Sequence, residues 1–412
     1  MKAPIKVVVT GMGIVAPTGI GLDVFWDSLI RCKSGIGPIT LLDVTNFPLK
    51  YAGEVKNFDL RKYYPSAKPK RMARQTQLAL VACRMAIEHA GLTLEQLQGN
   101  GRINMIMGIS SGGTDVIAEG MEMVLTVGAD RVRPYMVGAC QPHAIGATLV
   151  HELGLRASVK TLSEACPSSL SAIAMAAQVI KAGQADLIIA GGADSPLNSA
   201  ALAGFAAGGL PTRSTEFPPE EMSRPFDAKR SGVVLSEGAG FVVLERMDVA
   251  LARGATPYME ILGGATAIDM PGAGGMEGLW HSMNLALENA GVYPDQVDYI
   301  CANAYGDPAG DRIETDFIKR CFGDRAYRMP VSSMRGVLGH ALSAAGMSQV
   351  IACALMMRRQ QIVPTANLRF PDPDCDLDYV PLIPRPGRVG MAMANSHGIG
   401  GENATLLLKA VE

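Results

Sequence analysis

Among the eight cysteines of this chain, one stands where a sulfur could do chemistry. Cys166 lies in Thr161-Leu-Ser-Glu-Ala-Cys-Pro-Ser-Ser-Leu170, where an extended run over residues 159–162 gives way to an Ala-rich apolar helix reaching about residue 181. Pro167, Ser168 and Ser169 suit the first helical turn. A thiol at such a junction faces unpaired backbone N–H groups and the positive end of the helix dipole, which favours thiolate over thiol. Free cysteine is also among the most buried residue types, so position alone leaves a nucleophile and a structural thiol both open.

Three glycine-punctuated stretches in the second half could complete such a site. They are Asn303-Ala-Tyr-Gly-Asp307, Arg335-Gly-Val-Leu-Gly-His340 and Asn395-Ser-His-Gly-Ile-Gly-Gly-Glu-Asn403. A cysteine at a helix start, a histidine opening another helix and a glycine loop rich in free N–H groups would supply a nucleophile, an acid/base and an oxyanion hole. His340 has its own bland alternative, a satisfied histidine of the core.

The elements that must position these residues alternate. Buried strands are expected over residues 103–109, 187–193 and 238–245, and helices over 73–90, 141–153 and 167–181. After residue 253 the pattern restarts: strands over 258–264, 299–304, 329–332, 389–393 and 405–411, and helices over 275–290, 311–321 and 341–358. Continuous apolar strands imply sheets covered on both faces. The similar grammar suggests two halves, 1–250 carrying the cysteine and 251–412 carrying the histidine and the glycine loop. The opening Lys6-Val-Val-Val-Thr-Gly-Met-Gly-Ile-Val-Ala16 contains a GxGxxA spacing. Pro17 and Gly19 fall where a dinucleotide-binding helix would begin, so a glycine turn ending a core strand is the reading taken.

Composition narrows the partners. Of 412 residues, 48% are hydrophobic and 18% charged, with a net charge of −2, which fits a compact enzyme-like core without bulk attraction to nucleic acid or anionic membrane. Lys62, Lys68, Lys70, Arg71 and Arg74 form the one basic concentration, either a solvated face or a docking patch. The cysteines show no metal spacing and fit reduced thiols of a cytoplasmic protein. No apolar run reaches membrane-spanning length, and no signal core is visible at the N-terminus.

Taken together, Glu164-Ala-Cys166 with Ser168-Ser169, Arg224-Pro-Phe-Asp-Ala228, Ser236-Glu-Gly-Ala-Gly240, Val331-Ser-Ser333 with Gly339-His340, Ala344-Ala-Gly346 and Asn395-Ser with Gly398 to Asn403 resemble the elongating β-ketoacyl-acyl carrier protein synthases. The resemblance covers nearly the whole chain in order. It implies an α/β thiolase fold, two fused halves in a layered αβαβα core, usually dimeric. It also implies that Cys166 takes an acyl chain as a thioester from a carrier protein's phosphopantetheine, with no cofactor of the enzyme's own. A malonyl thioester is then decarboxylated and the carbanion attacks the acyl group. By position, Cys166 is the nucleophile, the N–H groups of Cys166 and Ile399 form the oxyanion hole, and His340 is the second of two histidines.

The chain departs from that pattern at the first histidine. Where the family reads His-Gly-Thr-x-Thr-Pro, this chain reads Tyr305-Gly-Asp-Pro308, about two residues shorter. The family's lysine is Arg335, the two loop phenylalanines are His397 and Ile399, and a threonine is Glu402. The short loop is similar to that of chain-length factors of type II polyketide systems, which lack the cysteine. Loss of the histidine with the cysteine kept is similar to non-elongating ketosynthases. Three readings follow: a divergent condensing enzyme in which Tyr305 or His397 covers the missing role, an acyltransferase that hands the chain from Cys166 to another acceptor, and a silent subunit shaping a tunnel beside a ketosynthase paralogue. The expected partners are an acyl carrier protein and a second subunit, identical or paralogous.

Overall fold

The computed structural model describes residues 4–99, 103–270 and 277–411. Ten strands run across its main sheet, beside a two-residue strand Gly19–Ile20 paired with the first: β1 (Val7–Ala16), β2 (Ile103–Gly108), β3 (Ala157–Leu162), β4 (Leu187–Asp194) and β5 (Gly238–Arg246), then β6 (Met259–Ile268), β7 (Tyr299–Cys301), β8 (Val331–Ser332), β9 (Met391–His397) and β10 (Glu402–Ala410). They lie side by side in the order β8-β7-β9-β10-β6-β1-β5-β4-β2-β3. Each half follows the same rule. Its second strand pairs in parallel with its third and fourth, the fourth is antiparallel to the fifth, and the fifth is antiparallel to the first. The halves join where β1 pairs with β6 at Val8↔Glu260 and Val9↔Met259.

Helices cover both faces, as the buried apolar strands require. Helix α1 (Arg74–His89) packs outside the first sheet, with Leu78, Val81, Ala82 and Ala86 in a core shared with Met105, Ile189 and Phe241. Between the sheets lie α3 (Ser168–Lys181) and α8 (Ala344–Arg359), whose residues share one core with strands of both halves. Helices α5 (Glu277–Ala290) and α6 (Pro308–Phe322) close the outer side of the second sheet. This is the layered αβαβα arrangement that the resemblance implies. Helix α2 (Thr114–Thr126), α4 (Ser199–Ala207) and the short α7 (Arg335–Leu338) complete the elements used below. The expected start of the helix over 275–290 lies partly outside the described residues.

The expected glycine turn after residue 10 is not there. β1 runs through Gly11 and Gly13 with a register shift between Val9 and Gly11. The glycines serve helix packing instead. A Cβ on Gly11 would come within 2.2 Å of the Ala86 carbonyl oxygen, and one on Gly13 within 2.1 Å of that of Ala82. The spacing that mimics a dinucleotide fingerprint is therefore the track on which α1 lies against the sheet.

Candidate active site

The cysteine is presented by a strained turn. Between β3 and α3 the chain passes through Ala165 in the left-handed region at φ 52°, and Pro167 caps the helix. The Ser168 hydroxyl donates to the Ala165 carbonyl at 2.6 Å and accepts from the Glu164 N–H at 2.8 Å, which over-determines the turn. Cys166 is thereby held at the N-terminal end of α3, with its side chain directed into the space between the halves.

His340 arrives from the other half. Gly339 is at φ 68°, and a Cβ there would meet the Val234 carbonyl oxygen at 3.0 Å, so the segment needs glycine to lie flat against residues 234–236. The His340 N–H donates to Val234 and the Ser236 N–H donates to His340, at 2.8 and 3.0 Å. Its Nε2 then stands 3.2 Å from the Cys166 sulfur.

Electrostatics oppose the simple helix-dipole expectation. Burial pushes the Cys166 thiol up to about 12, and Asp194 adds to it. Arg335 and the N–H groups of Ile399 and Cys166 pull the other way without prevailing. Burial, with Arg335 and His397 nearby, also holds the His340 imidazolium form well out of reach. Both shifts favour a neutral thiol beside a neutral imidazole over a preformed thiolate. The dipole argument fails here because it neglects desolvation, which is the larger effect in so dry a site.

Tyr305 occupies the place opposite His340, with ring centroids 5.2 Å apart. Its loop is set by α6. Asp307 caps that helix by accepting from the Gly310 N–H, and Pro308 fills its first turn. Asp311 accepts from the N–H groups of Tyr305, Gly306 and Phe226, and Glu314 from those of Asn303 and Ala304. Burial pushes the Tyr305 hydroxyl well above its ordinary value, and Asp307 adds to this. Tyr305 is thus a hydrogen-bond donor at all ordinary pH.

Cys166, Tyr305, His340, His397 and Ile399 line one narrow cavity, walled on its apolar side by Phe205, Leu210, Val233 and Leu235. Arg335 does not line it. The guanidinium lies buried behind, donating to the carbonyls of Asn303 and Ala345 at 3.3 and 3.4 Å, and its Nη2 has no partner among the described residues. Of the basic patch, Lys62, Lys68, Lys70 and Arg71 are exposed, while Arg74 is drawn inward against buried Glu237 at 2.6 Å.

Sequence reading missed the apolar wall and one buried acid. Asp194, at the end of β4, accepts from the N–H groups of Ser110 and Ser111 at 3.0 and 2.9 Å, and from both the N–H and the hydroxyl of Ser343. It clamps the start of α8 to the first half beneath the site. An aspartate ending an otherwise apolar strand was the available signal.

The sequence profile described as beta-ketoacyl synthase, N-terminal domain matches residues 5–250, and the C-terminal domain profile matches residues 263–369. A 3-oxoacyl-[acyl-carrier-protein] synthase 2 of Coxiella burnetii is 36% identical, covering 98% of this chain and 99% of the relative. That of Staphylococcus aureus strain MRSA252 is 34% identical over the whole of both chains. Among solved structures, the ishigamide ketosynthase/chain length factor superposes with a TM-score of 0.92 at 31% identity, covering all of both chains. A type II polyketide acyl carrier protein in complex with its ketosynthase, AntDE:AntF, gives 0.87 at 29% identity over 99% of this chain and all of that one.

Proposed function

The chain belongs to the β-ketoacyl synthase family, and from that premise we propose that it is a ketosynthase-type acyltransferase of fatty-acid or polyketide biosynthesis whose acyl carrier is Cys166. The observation that carries this reading is His340 Nε2 at 3.2 Å from the Cys166 sulfur, with the N–H groups of Ile399 and Cys166 directed at the same atom.

Loading then follows. A carrier protein delivers an acyl group as the thioester of its phosphopantetheine, so the enzyme needs no cofactor of its own. His340 takes the thiol proton as Cys166 attacks the carbonyl, and the departing pantetheine sulfur receives it. The two N–H groups stabilise the oxyanion that forms in between. A neutral pair suits this, because the proton moves only when the substrate is in place.

Condensation asks more. Decarboxylating a malonyl thioester leaves an enolate whose oxygen needs donors, and here the second donor is the Tyr305 hydroxyl instead of an imidazole. Tyr305 is a weaker acid in this burial, so loading is the robust step and carbon–carbon bond formation the weaker one. Handing the acyl group to another acceptor is the second reading, favoured by Tyr305.

Mass spectrometry after incubation with acyl-loaded carrier protein tests the first step; absence of an adduct on Cys166 sinks both readings. Carbon dioxide release from malonyl carrier protein separates them. The carrier protein, acidic by expectation, would dock at Lys62, Lys68, Lys70 and Arg71. A second subunit, identical or paralogous, would cover β3 and the apolar side of α2. Eight unpaired cysteines fit a reducing, cytoplasmic setting, and no described helix is long and apolar enough to cross a membrane.

A further inference from the structure

His397 stands where the resembled family carries a phenylalanine, and its surroundings are built around it. In the β9–β10 hairpin His397 lies directly opposite Asn403, and in the neighbouring ladder Asn403 pairs with Ala267, two residues before Asp269. The three side chains follow that register. The His397 Nδ1 is 2.8 Å from Asn403 Oδ1, and Asn403 Nδ2 donates to Asp269 Oδ1 at 2.9 Å and to the Gly401 carbonyl at 2.8 Å. Asp269 is itself fixed by the Gly278 N–H at 2.9 Å.

The chemistry of these partners fixes a proton. A carboxylate and a carbonyl both face one end of the Asn403 amide, so that end must be the NH2 group and the other must be the oxygen. An oxygen facing Nδ1 requires Nδ1 to carry the hydrogen. In the neutral ring Nε2, on the side away from Asn403 in a residue that lines the Cys166 cavity, is therefore left with a lone pair. In that state His397 cannot donate to an enolate oxygen, but it can accept a proton.

We propose that His397 is the base that discharges acyl-Cys166, and that Asn403 and Asp269 are the positioning residues that hold its Nε2 free. The proposal rests on the acyltransferase reading above. In the step, Nε2 takes the proton of an incoming acceptor hydroxyl as its oxygen attacks the acyl carbonyl under the N–H of Ile399. The bond to the Cys166 sulfur breaks, and that sulfur recovers the proton, so one thioester and one alcohol become an ester and a thiol. The titratable and charged groups around His397 are Asp269, Glu402, Cys166, His340 and Tyr305, with Arg335 behind.

Two measurements test it on the full-length protein. The first is the 15N spectrum of the histidines, assigned with His397→Phe. A protonated Nδ1 and bare Nε2 in the wild type, lost in Asn403→Leu and weakened in Asp269→Asn, supports the relay, and an Nε2–H tautomer in the wild type overturns it. The second starts from enzyme already acylated on Cys166 and follows transfer to glycerol, a probe hydroxyl acceptor. In His397→Phe transfer drops about 100-fold, with a loss of about tenfold or more in Asn403→Leu. An unchanged transfer rate in His397→Phe overturns the role of the base. Failure of the wild type to acquire an acyl group at all sinks the functional reading instead, and the tautomer measurement still judges the relay.

Discussion

At Cys166 the decisive fact is dryness. A sulfur pushed up to about 12 reacts through its base and not as a standing thiolate, so its alkylation by iodoacetamide should climb steadily with pH and show no plateau near neutrality. A plateau below about pH 8 contradicts the neutral pair. Cys166→Ala should abolish the acyl adduct. At Tyr305 the hydroxyl is the only difference from phenylalanine, and a lost hydrogen bond of about 1.4 kcal/mol corresponds to tenfold in rate. Tyr305→Phe should therefore lower carbon dioxide release from malonyl carrier protein about tenfold while the adduct on Cys166 persists; an unchanged release rate removes Tyr305 from the decarboxylation step.

Among the elements, β1 and the short loop before α6 carry the clearest consequences. Gly11→Ala or Gly13→Ala drives a methyl group into a helix carbonyl at just over 2 Å, and should lower stability by about 1–3 kcal/mol, read as a shift in the urea midpoint. Asp311, beneath the Tyr305 loop, is pushed by burial from 3.8 to about 7, with Glu314 adding to the shift. The native carboxyl then holds its proton over a range in which the unfolded one has lost it. Stability is fullest below about pH 3.8 and declines as pH rises to about 7, and Asp311→Asn should flatten that slope in urea titrations at a series of pH values. These elements also show what the residues disclosed in advance. Alternating apolar strands and Ala-rich helices were legible from periodicity because burial on both faces leaves a continuous pattern. The turns that present Cys166 and His340, and the glycine loop, were legible because helix starts and positive-φ turns demand particular residue types. The run of β1 through its glycines was not, since glycine marks a turn and a close helix approach alike. Nor were α2 and α4, whose apolar residues face outward or into a cavity. The thiol's resistance to ionisation was hidden too, because desolvation belongs to the assembled site and not to the turn that presents it.

On the scale of the molecule, two surfaces ask for partners. Strand β3 ends the sheet, paired among the described strands only with β2. Helix α2 leaves Ile117, Met121 and Leu125 exposed at helical spacing, and Leu125 and Val137 are 80% and 74% exposed. Leu125→Asp combined with Val137→Asp should shift light-scattering mass from dimer to monomer, and a wild type that is monomeric at micromolar concentration contradicts the paired subunit. Charge reversal at Lys70 and Arg71 should raise the apparent KM for carrier protein with little change in kcat.

The repeated strand order has a consequence of another kind. Cys166 comes from one repeat and His340 from the other, and the chain between them crosses from half to half through exposed residues at Arg253, Gly254 and Thr256. Cutting that crossing leaves the β1–β6 ladder and the shared central core to hold two fragments together. The reactive centre is thus a product of docking: neither fragment alone owns both its sulfur and its imidazole, while a nicked molecule keeps both. Fragment complementation, with two separately made pieces regaining acyl loading only when mixed, would turn the symmetry of the fold into an assay for its assembly.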